Sequence, residues 1–152
     1  MAILTKVLGD EAATAGFGAA LAPVMRAGDL VRLEGDLGAG KSTLARALIA
    51  TLTGVKEAPS PTFTLVETYP APKFSLWHFD LYRLETPQDI WELGLEEALD
   101  GGALLIEWPE RAEGLLPQGA LTLRLEIAGS GRRLTISGDE VWGARLQKAG
   151  IA

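Results

Sequence analysis

Hydrophobic positions along the chain alternate between two spacings, and they predict strands and helices in turn. Ala2 to Leu8 alternates weakly and reads as a first strand, a candidate for a sheet edge. Gly9-Asp10 opens a helix over residues 11–26, with Phe17, Leu21, Val24 and Met25 at helical spacing and Pro23 placed to end it early. After the turn Ala27-Gly28-Asp29, residues 30–34 form a short strand. A helix over residues 43–52 follows. It carries Leu44, Leu48 and Leu52 on one face, Ala45 and Ile49 beside them, and Gly54 as its stop. Pro59 and Pro61 forbid helix and impose an extended loop. Residues 63–69 and 74–81 read as an antiparallel hairpin turning at Pro70-Ala71-Pro72. Residues 87–99 are helical and broken near Gly94, and Asp100-Gly101-Gly102 is a turn. Ala103 to Ile106 is an unbroken apolar run, the mark of a strand buried on both faces. Residues 120–127 and 132–137 flank Gly129-Ser130-Gly131 as a second hairpin. Residues 139–148 close the chain as a helix with Val141, Trp142 and Leu146 inward.

Between the strand at 30–34 and the helix at 43–52 stands Gly35-Asp-Leu-Gly-Ala-Gly-Lys-Ser42, which fits the phosphate-loop pattern G-x-x-x-x-G-K-[ST] at every fixed position. Gly35, Gly38 and Gly40 let the backbone turn tightly and approach a phosphate with no Cβ in the way. The turn aims successive N–H groups at an anion, at the positive end of the following helix. Asp36, Leu37, Gly38, Ala39, Gly40, Lys41, Ser42 and Thr43 are therefore the expected nucleotide-binding stretch. Lys41 supplies charge to the β- and γ-phosphates and the Ser42 hydroxyl is placed to ligate Mg²⁺. With this loop in place, the expected architecture is an α/β, P-loop NTPase-like three-layer fold. Its central sheet is mainly parallel with antiparallel edge hairpins, in one domain over residues 1–152.

Phosphoryl chemistry also needs an acid to hold the metal and a group to position the attacking water. Asp80 ends the strand Leu76-Trp77-His78-Phe79-Asp80, and Glu107 follows the apolar run 103–106. The carboxyl ends of strands are where open α/β sheets bind ligands. Both acids are candidates, and the sequence leaves open which holds Mg²⁺ and which orients water. Thr62, in the proline-stiffened loop, is the candidate sensor of the γ-phosphate. Arg83 and Arg111 read as surface or structural arginines before charge-stabilising ones. His78, the only histidine, reads as structural at least as readily as functional. Trp108 reads as core, and Gly131-Arg132-Arg133 as a solvated hairpin tip.

Composition narrows the partners. The chain has 152 residues, 47% hydrophobic and 22% charged, enough for a real core. Its net charge of −6 argues against stand-alone nucleic-acid binding, which rests on a basic surface, and suits a basic protein partner. The absence of cysteine removes disulfides, thiolate catalysis and Cys-based metal sites. No apolar run approaches the ~20 residues that span a bilayer, and the start lacks a signal-peptide pattern, so a cytoplasmic location is expected.

Taken together, the motifs resemble those of one family, the bacterial TsaE ATPases, over nearly the whole chain. The pieces are Gly35 to Ser42, Ser60-Pro-Thr-Phe-Thr-Leu-Val66, His78-Phe-Asp-Leu-Tyr-Arg-Leu84, Leu93-Gly-Leu-Glu96 and Ile106-Glu-Trp-Pro-Glu110. The family often carries threonine where this chain has Ser42, and both supply a hydroxyl. The resemblance implies an ATPase with weak activity alone. It would support threonylcarbamoyl modification of the tRNA adenosine beside the anticodon by resetting a TsaB–TsaD complex, with TsaD transferring the group to tRNA. It assigns Lys41 to the phosphates, Ser42 to Mg²⁺, Thr62 to the switch loop, and Asp80 and Glu107 to metal and hydrolysis. The residues alone leave other readings open. A small-molecule kinase would need a lid, and no lid-like insertion is visible. A GTPase would need the Asn-Lys-x-Asp pattern, which is absent. A non-hydrolysing nucleotide sensor would keep the loop without the water-orienting acid.

Overall fold

The computed structural model describes residues 2–58 and 64–151. In chain order the elements are β1 (Ala2–Leu8), α1 (Glu11–Leu21), β2 (Leu30–Glu34), α2 (Lys41–Thr53), β3 (Val66–Pro70), β4 (Ser75–Asp80), α3 (Leu95–Leu99), β5 (Ala103–Glu107), β6 (Leu121–Ala128), β7 (Gly131–Ser137) and α4 (Glu140–Lys148). Short 3₁₀ turns lie at Ala22–Val24, Pro87–Trp91 and Pro109–Ala112.

Local chemistry sets most boundaries. The Asp10 carboxylate accepts the Ala13 N–H at 2.8 Å and caps α1. The expected helix over 11–26 stops as an α-helix at Leu21, because Pro23 brings no N–H to the ladder and the chain tightens into the 3₁₀ turn. Gly54 at φ +82° ends α2. The strand expected at 63–69 runs over Val66–Pro70. Leu65 stands at φ +66°, outside extended geometry, and residue 63 lies outside the described residues. Asp139 caps α4 through the Trp142 N–H. In that helix Trp142 and Leu146 are buried while Val141 is 64% exposed, so the inward stripe expected there is narrower by one residue.

All seven strands form one sheet in the order β1-β7-β6-β2-β5-β4-β3. The centre, β6-β2-β5-β4, is parallel, and antiparallel pairs flank it: β1 with β7 and β7 with β6 on one side, β3 with β4 on the other. This is an α/β fold with the expected arrangement of pairings. Strand β5 explains its own continuous hydrophobicity. Leu105 enters the core under α1 and α2, while Leu104 and Ile106 enter the core under α3 and the 3₁₀ turns at Pro87–Trp91 and Pro109–Ala112. Helices α1 and α2 cross closely at Gly18, where a Cβ would stand 2.3 Å from the Leu44 carbonyl oxygen. At the far end, Arg145 of α4 forks onto Asp29 at 2.9 and 2.7 Å, both side chains 10% exposed.

Candidate functional site

The site lies at the carboxyl ends of β2, β4 and β5, where the parallel strands deliver three loops to one edge of the sheet. Strand β2 ends in the glycine loop. Gly35, Gly38 and Gly40 take φ of +144°, +81° and +106°, values that side-chain-bearing residues rarely adopt. At Gly35 a Cβ would also lie 2.5 Å from the Leu125 carbonyl oxygen, so the loop is pressed against β6. Helix α2 begins at Lys41 with no side-chain cap, which leaves its first amides for a ligand.

A cavity of about 490 Å³ opens over this helix start. Leu37, Gly38, Gly40, Lys41, Ser42 and Thr43 line it on one side, and Asp80 and Glu107 on the other. The two acids stand together because β4 and β5 pair in parallel with Asp80 beside Glu107. The chain after them is pinned: Leu81 N–H donates to the Glu107 carbonyl at 3.0 Å, and Tyr82 N–H donates to Asp80 Oδ1 at 3.1 Å. Both acids are buried, and Glu107 Oε2 lies 2.7 Å from His78 Nε2. Asp36 and Ala39 instead line a second cavity of about 350 Å³ behind the loop. Thr62 lies outside the described residues.

Lys41 is folded inward. Its ammonium donates to the Gly35 carbonyl and stands 3.5 Å from the centre of the Trp108 ring. Burial pulls its pKa below the ordinary 10.5, against the opposing pull of Glu107, Glu110, Asp80 and Asp36. Trp108 takes φ +58°, which turns its ring back from the end of β5, and Tyr82 packs on it at 4.8 Å. Trp108 thus lines the cavity as well as touching the core. Arg132 also differs from its expected role. Its Nε donates to the Ala39 carbonyl at 3.0 Å and its Nη2 to the Gly38 carbonyl at 3.1 Å, so the hairpin tip braces the glycine loop. Asp10, Glu11 and Thr14 complete the same wall. No local pattern marks Arg132, because its partners lie more than ninety positions away. Trp108 carries a signal in its adjacency to Glu107. Arg111 stands 5.7 Å from the Tyr82 ring, and Arg83 is exposed, with neither lining the cavity.

Among the described residues, no group of three or more His, Asp or Glu is poised to hold a metal unaided. A serine hydroxyl and two carboxylates around one phosphate-binding cavity fit Mg²⁺, which takes oxygen donors, keeps waters and shares its ligation with phosphates.

The family model described as Threonylcarbamoyl adenosine biosynthesis protein TsaE matches residues 8–134, most of the chain. The chain belongs to the TsaE family. A TsaE from Rickettsia bellii is 42% identical over 129 residues, covering 84% of this chain and 90% of the relative. The Haemophilus influenzae TsaE is 32% identical over 142 residues, covering 90% of each. The crystal structure of Bacillus subtilis YdiB superposes with a TM-score of 0.80 at 28% identity, covering 97% of this chain and 93% of that one. Membership places the chain in tRNA threonylcarbamoyladenosine biosynthesis. No helix among the described residues is long and apolar enough to cross a membrane.

Proposed function

We propose that the protein is a Mg²⁺-dependent ATPase that works in the cytoplasm with TsaB-like and TsaD-like partners. Its hydrolysis cycle would reset their complex for another round of tRNA modification. The observation that carries this reading is the convergence of the glycine loop, Lys41 and Ser42 with two register-paired carboxylates around one cavity. The loop amides and the α2 start would hold the β-phosphate. Lys41 would leave the Gly35 carbonyl and the Trp108 ring for the β- and γ-phosphates, a move its burial already favours. Mg²⁺, held by Ser42 and one carboxylate, would neutralise charge developing on the phosphates. The other carboxylate would orient the attacking water. Glu107 suits that second task because its Oε2 is already engaged by His78. Thr62 stands in this reading as the γ-phosphate sensor, and tRNA is met through the partners rather than gripped by an acidic chain of net charge −6.

The test is ATP turnover by the purified protein, with and without the two partners, in wild type, Lys41→Ala and Glu107→Ala. The reading expects slow turnover alone and acceleration by the partners. Lys41→Ala should lose nucleotide binding, and Glu107→Ala should lose turnover by about 100-fold or more with binding kept. Binding without hydrolysis in any mixture would leave a nucleotide-sensing subunit instead. Rapid turnover without partners would refute the reset role.

A further inference from the structure

His78 is a buried titratable side chain that does not line the cavity and meets the site through Glu107. Its side chain and that of Glu107 are each 4% exposed, with Nε2 2.7 Å from Oε2. Its other nitrogen, Nδ1, finds no hydrogen-bond partner among the described residues. A histidine kept only to fill space would be a poor choice there. It strands a polar atom in the core, whereas an apolar side chain of similar volume would strand none. The compensating contact is the one to Glu107.

The sheet register explains what that contact does. Strands β4 and β5 pair in parallel, with Asp80 beside Glu107 and His78 beside Leu105. His78 and Asp80 share one face of β4, so the imidazole sits one side-chain step behind the two acids, on the core side. It reaches Glu107 from behind, while Glu107 lines the cavity in front. With Oε2 engaged by the ring, the remaining carboxylate oxygen is the one offered to the cavity. We propose that His78 is a positioning residue: its Nε2–H holds the Glu107 carboxylate in a single rotation and presents one oxygen toward the phosphate end of the nucleotide. A glutamate has three rotatable bonds, and fixing them before the substrate arrives removes that ordering cost from the reaction step. The proposal rests on the reading of Glu107 as the acid of hydrolysis.

Replacement geometry separates positioning from packing. The amide nitrogen of a glutamine reaches about as far from the backbone as imidazole Nε2, whereas that of an asparagine stands near the place of Nδ1. We expect His78→Leu to lower kcat about 10- to 100-fold while the nucleotide Kd stays within about twofold. His78→Gln should recover most of the loss and His78→Asn little of it. Wild-type kcat in His78→Leu would overturn the proposal. So would equal losses in the glutamine and asparagine variants that track a falling Tm, since that is the signature of packing. Crystal structures of the variants give a readout that does not depend on turnover. The Glu107 carboxylate should leave its position in His78→Leu and keep it in His78→Gln, and an unmoved carboxylate in His78→Leu refutes the role. If the wild type hydrolyses no ATP even with partners, the ATPase reading fails by itself, and the carboxylate positions still decide the question about His78.

Discussion

Gly18→Ala puts the α1–α2 crossing to a direct test. Gly18 lies inside α1, where alanine ordinarily stabilises a helix by about 1 kcal/mol over glycine. Here the added Cβ would stand 2.3 Å from the Leu44 carbonyl oxygen and 3.2 Å from both the Leu44 carbonyl carbon and the Leu48 nitrogen. A carbon–oxygen contact settles near about 3.3 Å, so the two helices must part by about 1 Å. The obstacle is helical backbone, not the end of a flexible side chain. Overpacking of this kind costs roughly 1–3 kcal/mol or more, and it exceeds the helix-propensity gain. The expected net loss is about 1–2 kcal/mol, which lowers Tm by roughly 3–8 °C in a domain of this size. Gly16 supplies the control: it lies in the same helix, and a Cβ added there would meet nothing within 4 Å. Gly16→Ala should therefore raise Tm by about 2–4 °C. Leu44 is three residues beyond Lys41, so Gly18→Ala should also weaken nucleotide binding, and Gly16→Ala should not. Calorimetric melts of the two variants with a nucleotide titration decide the matter. A Gly18→Ala protein as stable as wild type, or two shifts of the same sign, would refute the close-packing argument.

Three further outcomes follow from the site and the far end of the sheet. Lys41→Met should abolish nucleotide binding yet raise the Tm of the nucleotide-free protein at neutral pH. The folded state holds the Lys41 proton less tightly than the unfolded chain does, so protonation opposes folding below the lowered pKa. That opposition fades as pH climbs from the lowered pKa toward 10.5, so the advantage of methionine should shrink in melts over the same window. Arg132→Ala removes two charge-assisted bonds to the glycine loop and should cost about 2 kcal/mol and roughly tenfold in nucleotide affinity, while Arg133→Ala, at an exposed position, changes neither. Asp29→Ala leaves the Arg145 guanidinium buried without its carboxylate and should lower stability by about 3 kcal/mol, near 10 °C in Tm, with nucleotide affinity unchanged.

What the sequence discloses about this molecule depends on how local the cause is. Gly35, Gly38, Gly40, Lys41 and Ser42 specify their turn within eight positions, so the loop is readable without the rest of the chain. The run 103–106 announces its two-sided burial in the same way, because every residue in it is apolar. Contacts that cross the sheet are another matter. Nothing near Arg132 states that β6 lies beside β2, and only that neighbourhood carries the hairpin tip to the carbonyls of Gly38 and Ala39. Trp108 looks like one more core aromatic until its positive φ turns the ring onto Lys41. Val141 fits a helical stripe by spacing, yet α4 is too narrowly seated to bury it.

The same division explains why the acids are held more firmly than the lysine. Asp80 and Glu107 are side by side because two parallel strands share a register, and a slip of one residue in either strand would turn that strand's acid to the opposite face. That arrangement is fixed by Leu76, Phe79, Leu104, Leu105 and Ile106, all fully buried, and it exists before any nucleotide arrives. Lys41 is held by a carbonyl, an aromatic face and the attraction of nearby carboxylates, while its burial works against its charge. Carboxylates set by the core, and a cation whose carbonyl and aromatic contacts a phosphate can replace, favour a site in which nucleotide binding would move the lysine and leave the acids in place. Nucleotide binding should therefore displace Lys41 from Trp108 while leaving the β4–β5 register unchanged.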